Sequence, residues 1–218
     1  MNAPIIQLLV LAGIAIFLIL RLRSVLGTRE GFEKPNVVRD AAPKERRNFE
    51  VIEGGPDHDI IDHVPDGSSS ARALAAMKRV DPDFNVSGFL QGARGAYEMI
   101  LMGFEKGDLD SIRPFISDDV FDVFSSVVKQ REEQGLVVKA EFIGISELAI
   151  HDAEFDEETK EGEVSVRFVG ELSYVVENAE GQVVEGSQHA IKKQKDVWTF
   201  ARDLSSEDPN WFLIATGE

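Results

Sequence analysis

The chain opens with a run of apolar residues. Between Ile5 and Leu20 only Gln7 is strongly polar, and twelve of the sixteen residues are Leu, Ile, Val or Phe. A helix of this length spans about 24 Å, somewhat less than the roughly 30 Å hydrocarbon core of a bilayer. We therefore predict a membrane-spanning anchor formed by Ile5, Ile6, Leu8, Leu9, Val10, Leu11, Ile14, Ile16, Phe17, Leu18, Ile19 and Leu20.

Arginines follow this apolar run directly. Arg21, Arg23 and Arg29 would contact the lipid headgroups, and the first two compensate for the shortness of the anchor. By the positive-inside rule, the N-terminus would lie outside and the rest of the chain in the cytoplasm. A cleaved signal peptide fits less well, because no Lys or Arg precedes the run and no small cleavage-site residues follow it.

The next part of the chain shows no sustained hydrophobic period. From Gly31 to Asp66 it contains four prolines and a Gly-Gly pair, which is typical of unpacked segments. Ser68–Val80 then has a short basic amphipathic pattern, which suits either contact with anionic lipid or docking on the folded body. We predict a flexible tether over residues 31–80.

A first helix is predicted from apolar residues at helical spacing between Phe89 and Phe104. Its N-cap would be Asp83, Asn85 or Ser87, and Gly107 would end it. Each glycine inside a helix costs about 1 kcal/mol relative to alanine, so we expect another element to pack closely against these positions. The glycines are Gly88, Gly92, Gly95 and Gly103.

A second helix is predicted from Ser117, as N-cap, to Gly135. Acidic residues in its first turn suit the positive end of the helix dipole. Its inward-facing residues would be Val120, Phe121, Phe124, Val127 and Val128.

From Leu136 onward the pattern changes to that of strands. Apolar and polar residues alternate most clearly over Val164–Val176, as in a strand with one buried face. Short connections at Asp156–Gly162, Asn178–Gly181 and Lys193–Asp196 would join antiparallel neighbours. We predict an α+β fold, in which a curved antiparallel sheet carries the helices on its concave face. Its strands would be Leu136–Phe155, Glu163–Glu177, Gln182–Lys192 and Val197–Leu204, with candidate bulges at Gly144, Gly170 and Gly186.

Charge divides the chain further. It has 39 acidic and 23 basic residues, a net charge of −16, and no cysteine, which excludes disulfides and thiolate metal sites. Residues 1–30 are net +2, residues 31–66 net −4, residues 67–80 net +3 and residues 81–218 net −17. An acidic body repels phosphate, which argues against a nucleic-acid partner and favours proteins with basic patches. We expect three parts: anchor (1–30), tether (31–80) and folded domain (81–218).

Two histidines lie among carboxylates in the predicted tether. They are His58 and His63, beside Asp57, Asp59 and Asp62. A metal site needs a folded scaffold to hold its ligands, and a tether supplies none. We therefore interpret this stretch as a solvated acidic segment.

Carboxylates and histidines that could act as acids or bases also occur in the body. The pair Asp108 and Asp110 follows a helix-ending glycine, and structural roles account for it. The pair Asp118 and Asp119 lies in a helical first turn. The histidines of the predicted strands are His151 and His189. Because no nucleophile, phosphate loop or metal spacing accompanies these groups, we predict no catalytic, cofactor or metal site.

Five aromatic residues of the two helices are candidates for lining a pocket against the sheet. A lipid or another small apolar molecule could bind there, although a stripe at helical spacing is more often part of the core. They are Phe89, Tyr97, Phe104, Phe121 and Phe124.

Three sequence motifs resemble a known family. The first helix contains Phe89-Leu90-x-Gly92-Ala93-x-x-Ala96-Tyr97-Glu98-x-Ile100 and Phe104-x-x-Gly107-Asp108. The chain closes with Arg202-Asp203-Leu204, Asp208-Pro209-Asn210-Trp211-x-Leu213 and Thr216-Gly217. Both resemble the C-terminal domain in the family of subunit 44 of the mitochondrial inner-membrane translocase, the Tim44-like domain. The head, with Arg21-x-Arg23-x-Val25-Leu26-Gly27-x-Arg29-x-Gly31, is similar to the bacterial branch of the family, called TimA.

This resemblance implies a nuclear-transport-factor-2-like (NTF2-like) cone, a curved sheet around an apolar pocket, held at a bacterial inner membrane. It implies a single-pass adaptor or scaffold whose cytoplasmic domain binds inner-membrane or envelope proteins, with lipid contact through the anchor. A homo-oligomer stays open, as do two alternative functions: a cone that binds a lipid or hydrophobic ligand, and an isomerase- or dehydratase-like enzyme.

Overall fold

The computed structural model describes residues 57–217 of the 218-residue chain. The predicted anchor, its three arginines and residues 31–56 of the predicted tether lie outside these residues. Within 57–217, no helix is long and apolar enough to cross a bilayer. The described helices are α1 (His58–Ile61), α2 (Ser69–Val80), α3 (Val86–Lys106), α4 (Leu109–Ile112) and α5 (Asp118–Glu133), with a 3₁₀ turn at Arg113–Phe115.

The long helix α3 confirms the first predicted helix. Asn85 is its N-cap, because the side-chain oxygen accepts a hydrogen bond from the backbone N–H of Gly88 at 2.6 Å. At the other end Gly107 has a φ of 74°, a left-handed conformation that glycine adopts without a Cβ clash. Its N–H donates to the carbonyls of Gly103 and Phe104, which closes the helix.

Helix α5 confirms the second predicted helix. The Ser117 hydroxyl accepts from the backbone N–H of Val120 at 3.3 Å. Of the residues predicted to face inward, Val120 and Phe124 are buried and the other three are half-buried. The predicted stop lies one residue beyond the C-cap Gln134, where Gly135 has a φ of 64°.

One antiparallel sheet follows the helices, with strands in the order β1-β2-β3-β4. The strands are β1 (Val137–Phe155), β2 (Glu161–Glu177), β3 (Val183–Asp203) and β4 (Phe212–Gly217). The predicted bulge at Gly144 is confirmed, since it lies at one of three register shifts in β1. Gly186 has a φ of 80° between two further shifts. Gly170 pairs with Gln194 of β3 in regular register, but on its other side it lies opposite the β1 register shift between Ile145 and Glu147.

The loop predicted at Lys193–Asp196 is wrong. These residues pair in register with Phe168–Glu171, and β3 continues through them. The charged residues suggested a loop, but a strand accommodates them. Lys193 and Lys195 are exposed on one face, while Asp196 is buried on the other. Strand β4, which pairs with Val197–Ala201, was not predicted from the sequence.

The core lies between the helices and one face of the sheet. Val164, Val166 and Phe168 of β2 are fully buried while the intervening Arg167 is exposed, which confirms the predicted alternation. Tyr97 of α3 stacks on Phe168 with ring centroids 4.3 Å apart. The sheet curves around the helices, and the predicted α+β fold is consistent with an NTF2-like cone.

Helices α1 and α2 belong to the folded body rather than to a flexible tether. Ile60 of α1, together with Leu74 and Met77 of α2, is buried in the same core as the sheet. Of the two alternatives for Ser68–Val80, the structure therefore shows docking on the body. Burial of these apolar side chains stabilises the docked helix. The boundary predicted at residue 81 falls between α2 and α3, and both helices contribute to this core.

Candidate binding groove

An open groove with a volume of about 730 Å³ lies beside α3. Its walls are α3, the connection from α2 to α3, and the connection from β3 to β4. Pockets of this size accept lipid-like or drug-sized molecules. The apolar lining residues include Phe84, Phe89, Met99, Phe115, Phe200, Leu204 and Trp211.

Aromatic rings form one side of the groove. The Trp211 ring lies 4.7 Å from the ring of Phe89 and 5.7 Å from that of Phe84, measured between centroids. Phe84 and Phe89 are buried, whereas Trp211 is half-buried. An apolar occupant of the groove would therefore contact the indole ring with little rearrangement.

Glycines of α3 form another side. At Gly92 and Gly95 an added Cβ would meet nothing within 4 Å, so the helix backbone is open to the groove. The packing predicted against the helix glycines is confirmed at Gly103, where a Cβ would collide with Ile112 of α4. It is wrong at Gly92 and Gly95, because the side of α3 that they occupy faces the groove.

A largely buried ion pair joins the connection from α2 to α3 to the end of β3. Arg202 Nη1 lies 2.8 Å from Asp81 Oδ2, and the two side chains are 10% and 15% exposed. Arg202 Nε also donates to the backbone carbonyl of Asp208 at 2.9 Å. The sequence analysis did not predict this pair, because residues 121 positions apart carry no local signal of contact.

Of the five aromatic residues predicted to line a pocket, Phe89 lines the groove. Tyr97 is fully buried, and the rings of Phe104 and Phe124 pack 4.4 Å apart. Phe121 lies under the Arg113 guanidinium, 4.7 Å from the ring centroid. The structure thus places the other four in the core or against an arginine, which is the more common role of such residues.

Tyr97 makes a buried polar contact with β3. Its hydroxyl donates to Asp196 Oδ2 at 2.5 Å, and Gln194 Nε2 donates to the other carboxylate oxygen at 3.2 Å. Burial, and then the hydrogen bond to Asp196, raises the pKa of Tyr97 well above its usual value. Neither Tyr97 nor Asp196 lines the groove, so this pair joins helix to sheet.

The histidine and aspartate cluster around α1 is engaged in internal contacts. Asp59 accepts from the backbone N–H groups of Val86 and Ser87 at 2.7 and 3.0 Å and from Lys78 Nζ at 2.9 Å. Burial alone would raise the pKa of Asp59, but these hydrogen bonds outweigh it and hold the pKa well below the usual range. His63 Nε2 lies 3.3 Å from Ser87 Oγ. No group of three potential metal ligands occurs within 57–217.

The remaining acid–base candidates are dispersed. Asp108 caps α4 and accepts from the N–H of Ser111 at 3.4 Å, while Asp118 is paired with Arg113. Asp110 and Asp119 lie in first helical turns. The histidines His151 and His189 lie in β1 and β3. The structure brings none of the four aspartates, nor His151, into the groove lining.

Comparison with known proteins identifies the family. Residues 70–218 match the Tim44-like domain. The human and rat mitochondrial import inner membrane translocase subunit TIM44 are each 24% identical over 160 residues, which cover 72% of this chain and 35% of the relative. The chain thus corresponds to about a third of those proteins. The intermembrane space region of the chloroplast protein ARC6 aligns with a TM-score of 0.35 and 9% identity, over 57% of this chain and 94% of that chain. Because the family match covers more than half of its length, the chain belongs to the Tim44-like domain family.

Proposed function

We propose that this chain is a membrane-attached adaptor whose folded body binds another protein close to the membrane. The match of residues 70–218 to the Tim44-like domain carries the proposal. The relatives named above are subunits of an inner-membrane translocase, and a subunit works by contact with other proteins. Binding without chemistry is the simplest role for a body whose paired carboxylates cap helices or form ion pairs.

The proposed anchor is the apolar run Ile5–Leu20, followed by Arg21 and Arg23. Since α1 and α2 belong to the body, the proposed tether shortens to the 26 residues 31–56. A flexible chain of this length has a mean span of about 30 Å. A tether so short would keep the body near the bilayer and raise the local concentration of membrane-bound partners.

The proposed location is a bacterial inner membrane, with the N-terminus outside and the body in the cytoplasm. The arginines that follow the apolar run support this orientation. The similarity of the head to the bacterial branch of the family supports the location. The net charge of −16 favours partners with basic patches.

A second candidate function is the binding of a lipid or another hydrophobic molecule. The groove beside α3 supports it, because its volume of about 730 Å³ and its aromatic side suit such a ligand. Partner binding and ligand binding would use the same body and need not exclude one another.

Affinity purification after crosslinking in intact cells tests the adaptor proposal. The full chain is compared with a variant that lacks residues 1–30, and a variant with residues 31–56 replaced by a neutral sequence of equal length is the control. We expect specific membrane proteins with the full chain and with the control, and their loss on deletion of residues 1–30. If no protein crosslinks to any of the three while an apolar molecule stays bound, the second candidate replaces the first.

A further inference from the structure

Among the described residues, strand β3 has a free edge beyond the end of β4. On that side β4 pairs only with Val197–Ala201, and within 57–217 no other strand pairs with residues 183–196 there. The stretch Lys192–Asp196 is regular, since it pairs residue by residue with Phe168–Leu172 of β2. The register with β2 shifts between Leu172 and Tyr174, so the regular part of the free edge is taken as Lys192–Lys195, which is about 13 Å long.

The side chains along this half of β3 are open to solvent. Every side chain that the structure describes from Val183 to Lys193 is exposed, whereas Trp198 and Phe200 in the other half are buried. Ile191, at the start of the free edge, is 61% exposed. A strand added beside Lys192–Lys195 would lie next to exposed Ile191 and would bury part of its side chain.

The charge of the free edge is opposite to that of the chain. Lys192, Lys193 and Lys195 lie here in a protein of net charge −16. Lys193 Nζ is 3.1 Å from Glu171 and Lys192 Nζ lies over the Tyr174 ring, while exposed Lys195 has no ion pair with a described residue. Lysines on an edge disfavour pairing with a second copy of this chain, because like charges would meet, and they favour an acidic strand.

We propose that the free edge of β3 from Lys192 to Lys195 binds an extended acidic segment of a partner protein by strand addition, in line with β4. Backbone hydrogen bonds would supply the pairing, and the lysines would select carboxylates on the added segment. The inference rests on the proposed adaptor function and adds a local feature to the basic patches expected of its partner, namely an acidic segment that meets this lysine-rich edge.

Spin labelling of the full chain tests this inference, because the chain has no cysteine of its own. Cysteine is introduced at exposed Ile191 (I191C) and, as a matched control, at exposed Val123 of α5 (V123C). The probes are a peptide of alternating Glu and Val and a peptide of alternating Lys and Val. We expect the acidic peptide to immobilise the label at position 191 at a concentration at least about tenfold lower than the basic one, since several ion pairs change sign. The label at position 123 should not respond.

Reversal of the lysines checks the role of charge. The variant K192E/K193E/K195E should bind the basic peptide in preference to the acidic one. In the unaltered chain, hydrogen exchange at the backbone amides of residues 192–196 should slow with the acidic peptide only. Three results would overturn the inference. They are equal affinity of the unaltered chain for both peptides, immobilisation of the spin labels at both position 191 and position 123, and no spectral response of the label at position 191 up to the solubility limit of the peptides. If membrane partners crosslink to the chain but neither peptide binds, the adaptor function stands and the strand-addition inference fails. If the acidic peptide binds but no membrane partner crosslinks, only the adaptor function fails.

Discussion

Tyr97 and Asp196 join the centre of α3 to β3 by a hydrogen bond between residues 99 positions apart. Gly170 of β2 makes room for it, because a Cβ at that position would lie 2.6 Å from the Tyr97 hydroxyl oxygen. The glycine predicted as a bulge therefore serves the close approach of an aromatic ring. At the scale of residues, this contact fixes which face of α3 meets the sheet.

Replacement of Tyr97 by phenylalanine should destabilise the body by about 2 kcal/mol, because a buried carboxylate loses a hydrogen-bond donor. Tyr174→Phe is the matched control, since its hydroxyl donates to Glu185 at an exposed site and its loss should cost less than about 1 kcal/mol. Urea unfolding of residues 52–218 measures both losses. Equal losses in the two variants would contradict the structural role given to the Tyr97 contact.

Among the elements, α1 is held on the body through the N-terminus of α3. Asp59 accepts the N–H groups of Val86 and Ser87, and Lys78 of α2 reaches both Asp57 and Asp59. An acidic side chain at a helix N-terminus is favoured by the helix dipole as well as by these hydrogen bonds. The contact fixes the point where the chain enters the body.

This contact should make the stability of the body depend on pH. The folded-state pKa of Asp59 is depressed, so its stabilisation is present above the unfolded-state value of about 3.9 and is lost as the pH falls below it. Asp59→Asn should cost about 1–2 kcal/mol at neutral pH, and the difference from the unaltered body should shrink below about pH 4.

Asp62→Asn is the control for this prediction, because Asp62 is exposed at the C-cap of the same helix and should show little effect. Thermal unfolding of residues 52–218 across the acidic range gives the comparison. A cost of Asp59→Asn that is constant with pH would show that the carboxylate charge is not what holds α1.

The glycines of α3 should respond to alanine in opposite directions. Gly92→Ala should stabilise the body by up to about 1 kcal/mol, because the added methyl group meets nothing and helix propensity improves. Gly103→Ala should destabilise it, because the methyl group would collide with Ile112. Chemical unfolding measures the change in the free energy of unfolding for each variant. Destabilisation by Gly92→Ala would contradict the prediction, because it would mean that the groove side of α3 is packed.

Helices α3 and α5 and the burial pattern of β2 could be predicted, because caps, helical spacing and alternation are local signals. The docking of α1 could not, since a proline-containing stretch buries Ile60 only through distant partners, whereas for α2 docking on the body was one of two alternatives that the sequence left open. The continuity of β3 was hidden by its charges at Lys193 and Lys195. The sequence drew attention to the glycines of α3, which border the groove. It could not show which of them face open space, because that depends on the tertiary packing.

In the whole chain, we assign attachment and recognition to different parts. The anchor and residues 31–56 would hold the body at the membrane, and the body, through surfaces such as the groove and the free edge of β3, would bind the partner. Attachment then needs a membrane-spanning segment of the right orientation, while recognition needs the sequence of the body. Exchange of the anchor therefore separates the two roles.

The most direct test replaces residues 1–30 by an unrelated single-span helix of the same orientation and measures the amount of partner protein crosslinked to the body in intact membranes. The account predicts that the exchanged chain recovers the same partners as the original, while deletion of residues 1–30 loses them. An exchanged chain that inserts in the membrane but recovers no partner would contradict the account, because residues 1–30 would then themselves recognise the partner.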